Sequence, residues 1–195
     1  LYGFCHYHYW FDGKQFLETP TNLILANRDI DFPFCLSWAN ETWSRRWDGR
    51  DHHILIQQTH PPTKESWKRH YDYLIKVWTD PRSIKIEGKP VFIIYRPQNI
   101  EKINEMIEFW RRLAINDGLP GIYFIFQKTY DLPNRSCLNS FDGIFQFQPF
   151  EAVYSPNYDR NSVRHSLFFR MIRSLPERHQ DILRGLKTRF IKKQN

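Results

Sequence analysis

Apolar residues gather in five short runs along the chain, at residues 3–9, 32–38, 91–95, 122–126 and 143–147. Most of these runs are continuous rather than alternating in polarity. Strands read that way when both faces are covered, as in a parallel sheet layered by helices. Between the runs the period changes to that of a helix. Thr19-Pro20 offers a capping hydroxyl followed by proline at the first helical position, and this helix runs on through Leu23 to Ala26. Thr63 is placed to cap a second helix, in which Trp67, Tyr71, Leu74 and Trp78 fall on one face. A third apolar stripe joins Ile103, Met106, Ile107, Trp110 and Ala114. Asn116-Asp117-Gly118 ends it with residues that tolerate left-handed backbone.

Strand and helix alternate, which predicts an α/β fold with a parallel sheet. A barrel and an open doubly wound sheet both satisfy this order. No glycine-rich phosphate loop follows any of the runs, which weighs against the nucleotide-binding form of the open sheet. In a barrel, the segments after Tyr9, Trp38, Tyr95, Phe126 and Phe147 share the face that carries the chemistry. The connection from Ala39 to about Pro62 is unusually long. Such connections are functional or disordered, and the Trp and charged residues in this one speak against disorder.

Composition adds three points. Aromatic residues make up 17% of the chain, with seven Trp and ten Tyr; these rings suit a core and equally a sugar, whose C–H bonds lie against an aromatic face. The net charge of +7 comes from residues 159–195, which hold ten Lys or Arg against three Asp or Glu. This tail carries two helical patterns, so residues 1–158 are expected to form the barrel domain and 159–195 a basic helical insertion or tail. A basic amphipathic helix can touch an anionic membrane surface; nucleic acid is not the expected partner. The three cysteines, Cys5, Cys35 and Cys137, show no paired spacing. That argues against a disulfide framework or a zinc site, and for a reducing, cytoplasmic setting with membrane association through the tail.

The candidate chemistry lies at the predicted strand ends. His6 to Trp10 alternates, so Tyr7 and Tyr9 point one way and His6, His8 and Trp10 the other. His-x-His is half of a metal site, but no third ligand accompanies it, so neither a metal nor a cofactor is expected. Residues 37–49 place Asn40 and Glu41 directly after a strand, followed by Trp43, Arg45, Arg46 and Asp48. Glu41 is open to three roles: a catalytic carboxylate, an acceptor for sugar hydroxyls, or a brace for the arginines. Arg45 and Arg46 can grip an anion or pair with Asp48. Tyr95-Arg96, Gln127-Lys128 and Gln146 with Gln148 add polar groups at later strand ends. The candidate substrate-binding set is therefore Tyr7, His8, Trp10, Trp38, Asn40, Glu41, Trp43, Arg45, Arg46, Tyr95, Gln127 and Gln146.

Two long motifs carry a resemblance. Residues 3–14 (Gly-Phe-Cys-His-Tyr-His-Tyr-Trp-Phe-Asp-Gly-Lys) and 32–41 (Phe-Pro-Phe-Cys-Leu-Ser-Trp-Ala-Asn-Glu), with Trp43 and residues 45–49, closely resemble the WbsX-like family. Lys89-Pro90-Val91-Phe92 and Phe141-Asp142-Gly143 fit its later strands, so the likeness covers residues 1 to about 150. The resemblance implies a glycosyltransferase of bacterial surface-polysaccharide or lipopolysaccharide synthesis. It also implies kinship with glycoside hydrolase family 99 and the endo-α-mannosidases, and the two activities conflict. The implied fold is a (β/α)8 barrel, of which about five strands are present. The family's first strand is expected before Leu1. A late Asn-Glu-Trp-x-Glu-Gly-like motif, which holds the hydrolases' catalytic carboxylates, is expected after Asn195. Glu41 is thereby implied to bind or support, and these 195 residues alone are expected to be inactive. The alternative is a non-catalytic carbohydrate-binding or scaffold module.

Overall fold

A computed structural model describes residues 3–45, 50–128 and 135–146. The first strand, β1 (Phe4–Phe11), turns back on β2 (Lys14–Phe16) through Asp12 and Gly13, both at positive φ (45° and 99°). An Asp-Gly pair supplies that geometry in a two-residue hairpin. Helix α1 (Thr19–Ala26) follows. Its N-cap is Glu18 rather than the expected Thr19, and no side chain caps it. The order continues with β3 (Phe34–Trp38), β4 (Trp43–Arg45), β5 (Arg50–Ile56) and α2 (Lys64–Trp78). After α2 come β6 (Lys85–Ile86), β7 (Lys89–Ile94), α3 (Ile103–Asn116), β8 (Tyr123–Lys128) and β9 (Gly143–Gln146). Thr63 caps α2 as expected, its hydroxyl accepting from the Ser66 amide at 3.2 Å.

The long connection after β3 is not simply a loop. It contains the antiparallel pair β4–β5, whose register shifts between Trp43 and Ser44 and again between Ser44 and Arg45. Those irregularities break the alternation that would mark a strand in the sequence.

The main sheet runs in the order β2-β1-β3-β7-β8-β9, with β6 beside β7. β1, β3, β7, β8 and β9 are parallel, and each lies next to its predecessor in the chain. Among the described strands the order never reverses, so no switch point of a doubly wound sheet occurs there. The expected boundary at residue 158 and the basic segment 159–195 lie outside the described residues, as do Arg46 and Gln148.

Strand alternation divides the sheet into two unlike faces. One carries Trp10, Phe34, Leu36, Trp38, Phe92, Ile94 and Phe124 into the main core. There they meet Trp67, Tyr71, Leu74 and Trp78 of α2, and Met106, Ile107, Trp110 and Ala114 of α3. The Trp110 indole donates to the Trp67 carbonyl at 2.8 Å, and the Tyr71 hydroxyl to Asp117 at 2.6 Å, fastening the two helices together. The other face holds a smaller cluster of Cys35, Val91 and Ile93 with Ile84, Tyr123 and Ile125. Toward the carboxyl ends of its strands that face turns polar, through Tyr7, Tyr9, Ser37, Tyr95 and Gln127.

Candidate functional site

The polar end of the second face is built from three adjacent strands. Tyr7 on β1 pairs in register with Ser37 on β3, and Ser37 with Ile93 on β7. β3 offers only small side chains on this face, Cys35 and Ser37, so the tyrosines of the flanking strands rise beside it. Tyr7 is 42% exposed, and its ring lies 6.5 Å from that of Tyr9. Burial pushes the Tyr7 phenol above its ordinary pKa; Tyr95, Cys5, Tyr9 and Glu41 add to the rise. Burial also raises Tyr9, followed by the charge of Glu41. Tyr7, Tyr9, Tyr95 and Glu41 therefore lie within electrostatic reach of one another.

Glu41 is held in place. Its carboxylate accepts from Nε of Arg96 at 2.8 Å, and the Arg96 guanidinium lies 4.8 Å from the centre of the Tyr95 ring. Asn40 is fully buried. Its side chain accepts from the Arg96 amide at 2.7 Å and donates to the Arg96 carbonyl at 2.7 Å. Trp43 is half-buried, in a nest of rings formed by Tyr9, Phe11 and Phe16 at 5.1–5.8 Å. Arg45 ends β4 opposite Arg50.

Three expected site residues lie elsewhere. His8, Trp10 and Trp38 are each under 10% exposed and face α2. Trp10 stacks flat on His70 at 4.7 Å, His8 stacks on Tyr73 at 5.1 Å, and Trp38 meets His70 edge-on at 4.5 Å. All three rings thus pack toward α2, on the side of the sheet away from Tyr7 and Tyr9. The phase of β1 decides this: Tyr7 and Tyr9 take the open face, which sends His8 and Trp10 into the core. Burial holds His8 down at about 3 and His60 at about 4, and His70 well below the ordinary histidine range.

Gln127 and Gln146 do not share a face. Gln127 pairs with Phe145 and Lys128 with Gln146, so the two amides point to opposite sides of the sheet. Gln127 is buried on the tyrosine side and Gln146 is exposed. Among the described residues no group of three or more His, Cys, Asp or Glu is placed to hold a metal. No described helix is long and apolar enough to cross a membrane.

Arg96 and Tyr9 stand at strand ends that the sequence marked, but the expected set left them out, and it left out His70. His70 lies three residues after Trp67 and four before Leu74, on the stripe that α2 buries, which was the signal available.

The family model described as Glycosyltransferase WbsX matches residues 1–188, extending past residue 150, where the motif resemblance stopped. Two curated relatives, both named Uncharacterized protein WxcX, come from Xanthomonas campestris pv. campestris strains B100 and ATCC 33913. Each is 32% identical over 149 residues, covering 76% of this chain and 21% of the relative. The chain thus spans about a fifth of the length of the curated relatives it matches. No solved structure matches it. With a family match over nearly its whole length, on a parallel α/β framework, the chain belongs to the WbsX glycosyltransferase family.

Proposed function

We propose that this chain is part of a (β/α)8 barrel, and that its tyrosine face holds the glycan in a carbohydrate-active enzyme that transfers glycosyl groups. The observation that carries this reading is the gathering of Tyr7, Tyr9, Tyr95 and the Glu41–Arg96 pair at the carboxyl ends of consecutive parallel strands, opposite the helices. In a barrel that end carries the site. Phenol rings offer sugars an apolar face and a hydroxyl together. The family's description supports transfer over hydrolysis. A role in surface-polysaccharide or lipopolysaccharide synthesis, and the kinship with family 99 hydrolases, belong to the same proposal.

Glu41 holds the sugar or its arginine in this reading, and does not react. Cleaving a glycosidic bond takes two carboxylates. Among the described residues of the tyrosine face Glu41 is the carboxylate present, and Arg96 occupies it at 2.8 Å. The same observation favours a second reading, a glycan-binding module without catalysis of its own.

Glycan-array binding by the full-length protein tests the proposal. Tyr7→Ala and Glu41→Gln are expected to weaken binding at least about tenfold, about 1.4 kcal/mol each, without changing the melting temperature. Unchanged binding in both variants refutes the assignment of this face. Turnover of a sugar donor separates the enzyme from the binding module.

A further inference from the structure

We infer that Asn40 is a positioning residue: its side chain stands in for a rung of the β-ladder and thereby sets the Arg96–Glu41 pair. The inference rests on the proposed role of the tyrosine face and gives that face its internal support.

The backbone pairing of β3 with β7 ends where the Tyr95 amide donates to the Trp38 carbonyl at 3.0 Å. One step on, no backbone bond from β3 to Arg96 occurs among the described residues, and the Arg96 carbonyl accepts from the Asn99 amide of the following turn at 3.1 Å. The Asn40 side chain takes over, accepting from the Arg96 amide and donating to the Arg96 carbonyl, both at 2.7 Å. A primary amide presents the same donor and acceptor as a peptide unit, so it can continue a ladder that the backbone has left. The Asn40 carbonyl in turn accepts from the Asn99 side chain at 3.2 Å, tying it to the turn after β7. The residue is fully buried, so water cannot replace these bonds.

Arg96 adopts φ −132° and ψ 81°, outside the regular strand and helix regions. Held so at both its amide and its carbonyl, it lays its guanidinium against the Tyr95 ring and meets Glu41. Asn40 therefore fixes the cation that orients the carboxylate of its own neighbour. Aspartate cannot substitute, because it has no donor for the Arg96 carbonyl and would set a negative charge against it.

The test is the Nε–H signal of Arg96 in full-length protein labelled with 15N-arginine, assigned by its loss in Arg96→Lys. In the parent protein it is expected to exchange slowly, and in Glu41→Gln at least about tenfold faster. Asn40→Ala and Asn40→Asp are expected to reproduce the Glu41→Gln effect while the Nε–H signal of Arg82, which donates to Asp80 at 2.9 Å, persists. That arginine reports on the fold. If Asn40→Ala loses it as well, Asn40→Asp decides alone. An unchanged Arg96 signal in a folded Asn40 variant overturns the inference. No glycan enters the measurement, so failure here and failure of the sugar-binding reading remain distinguishable.

Discussion

Nε2 of His8 and Nε2 of His70 lie 2.8 Å apart in the core, between β1 and α2. One ring donates and the other accepts, so at most one of them can be charged, and burial disfavours the charge on either. His60 lies nearby, edge-on to Trp38 at 5.3 Å. Burial lowers all three below the ordinary histidine value, His8 to about 3 and His60 to about 4. Unfolded histidines titrate near 6.5 and the folded ones far lower, so below about pH 6.5 the unfolded state binds more protons. The stability contributed by neutral burial is complete above pH 6.5. It is lost as pH falls toward 4, by at most about 1.4 kcal/mol per pH unit for each histidine. Urea unfolding at pH 7.5, 6 and 5 should show a steep loss of stability, and a flat profile would mean these rings are not buried neutral.

Trp110 joins both helices to the sheet, fully buried and in ring contact with Trp38, Trp78, Phe92 and Phe124. Trp110→Ala is expected to cost about 3–5 kcal/mol through the cavity it leaves. Trp110→Phe should cost less, although it removes the indole's bond to the Trp67 carbonyl. Equilibrium unfolding of the two variants checks the order.

The start of α2 depends on Thr63, whose hydroxyl accepts from the Ser66 amide. Thr63→Ala should destabilise by about 1 kcal/mol, and Thr63→Ser should retain most of that. A neutral Thr63→Ala variant in thermal unfolding would show that the cap contributes nothing.

Glu41 acts on the phenols around it. Its charge adds to the upward shift of both Tyr7 and Tyr9, after burial in each case. Glu41→Gln should let both tyrosines ionise at lower pH than in the parent protein, as followed by 13C-tyrosine NMR. An unchanged titration would separate Glu41 from the tyrosine cluster.

Much of this framework was legible in the sequence, because continuous apolar runs and capped stripes are local signals. The five parallel strands, and the buried faces of α2 and α3, follow from them. What escaped was phase and register. In β1 both alternating sets are aromatic, so the alternation shows plainly but not which set faces the helices. Tyr7 and Tyr9 were distinguished from His8 and Trp10 only by what packs on each side. The offset of Gln127 from Gln146 depends on how β9 slides along β8, which no local pattern records. The β4–β5 pair escaped because its irregular register erases alternation. Asn40 read as a ligand for sugar because a buried amide and an exposed one look alike in a sequence.

Which face of β1 meets the glycan determines whether the tyrosine cluster is a sugar site. A crystal structure of the full-length protein with a bound oligosaccharide decides it. The prediction is a sugar ring in van der Waals contact with Tyr7, Tyr9 or Tyr95, with Glu41 still paired to Arg96. A sugar bound away from these residues, with the tyrosine face in contact only with protein or solvent, would contradict it.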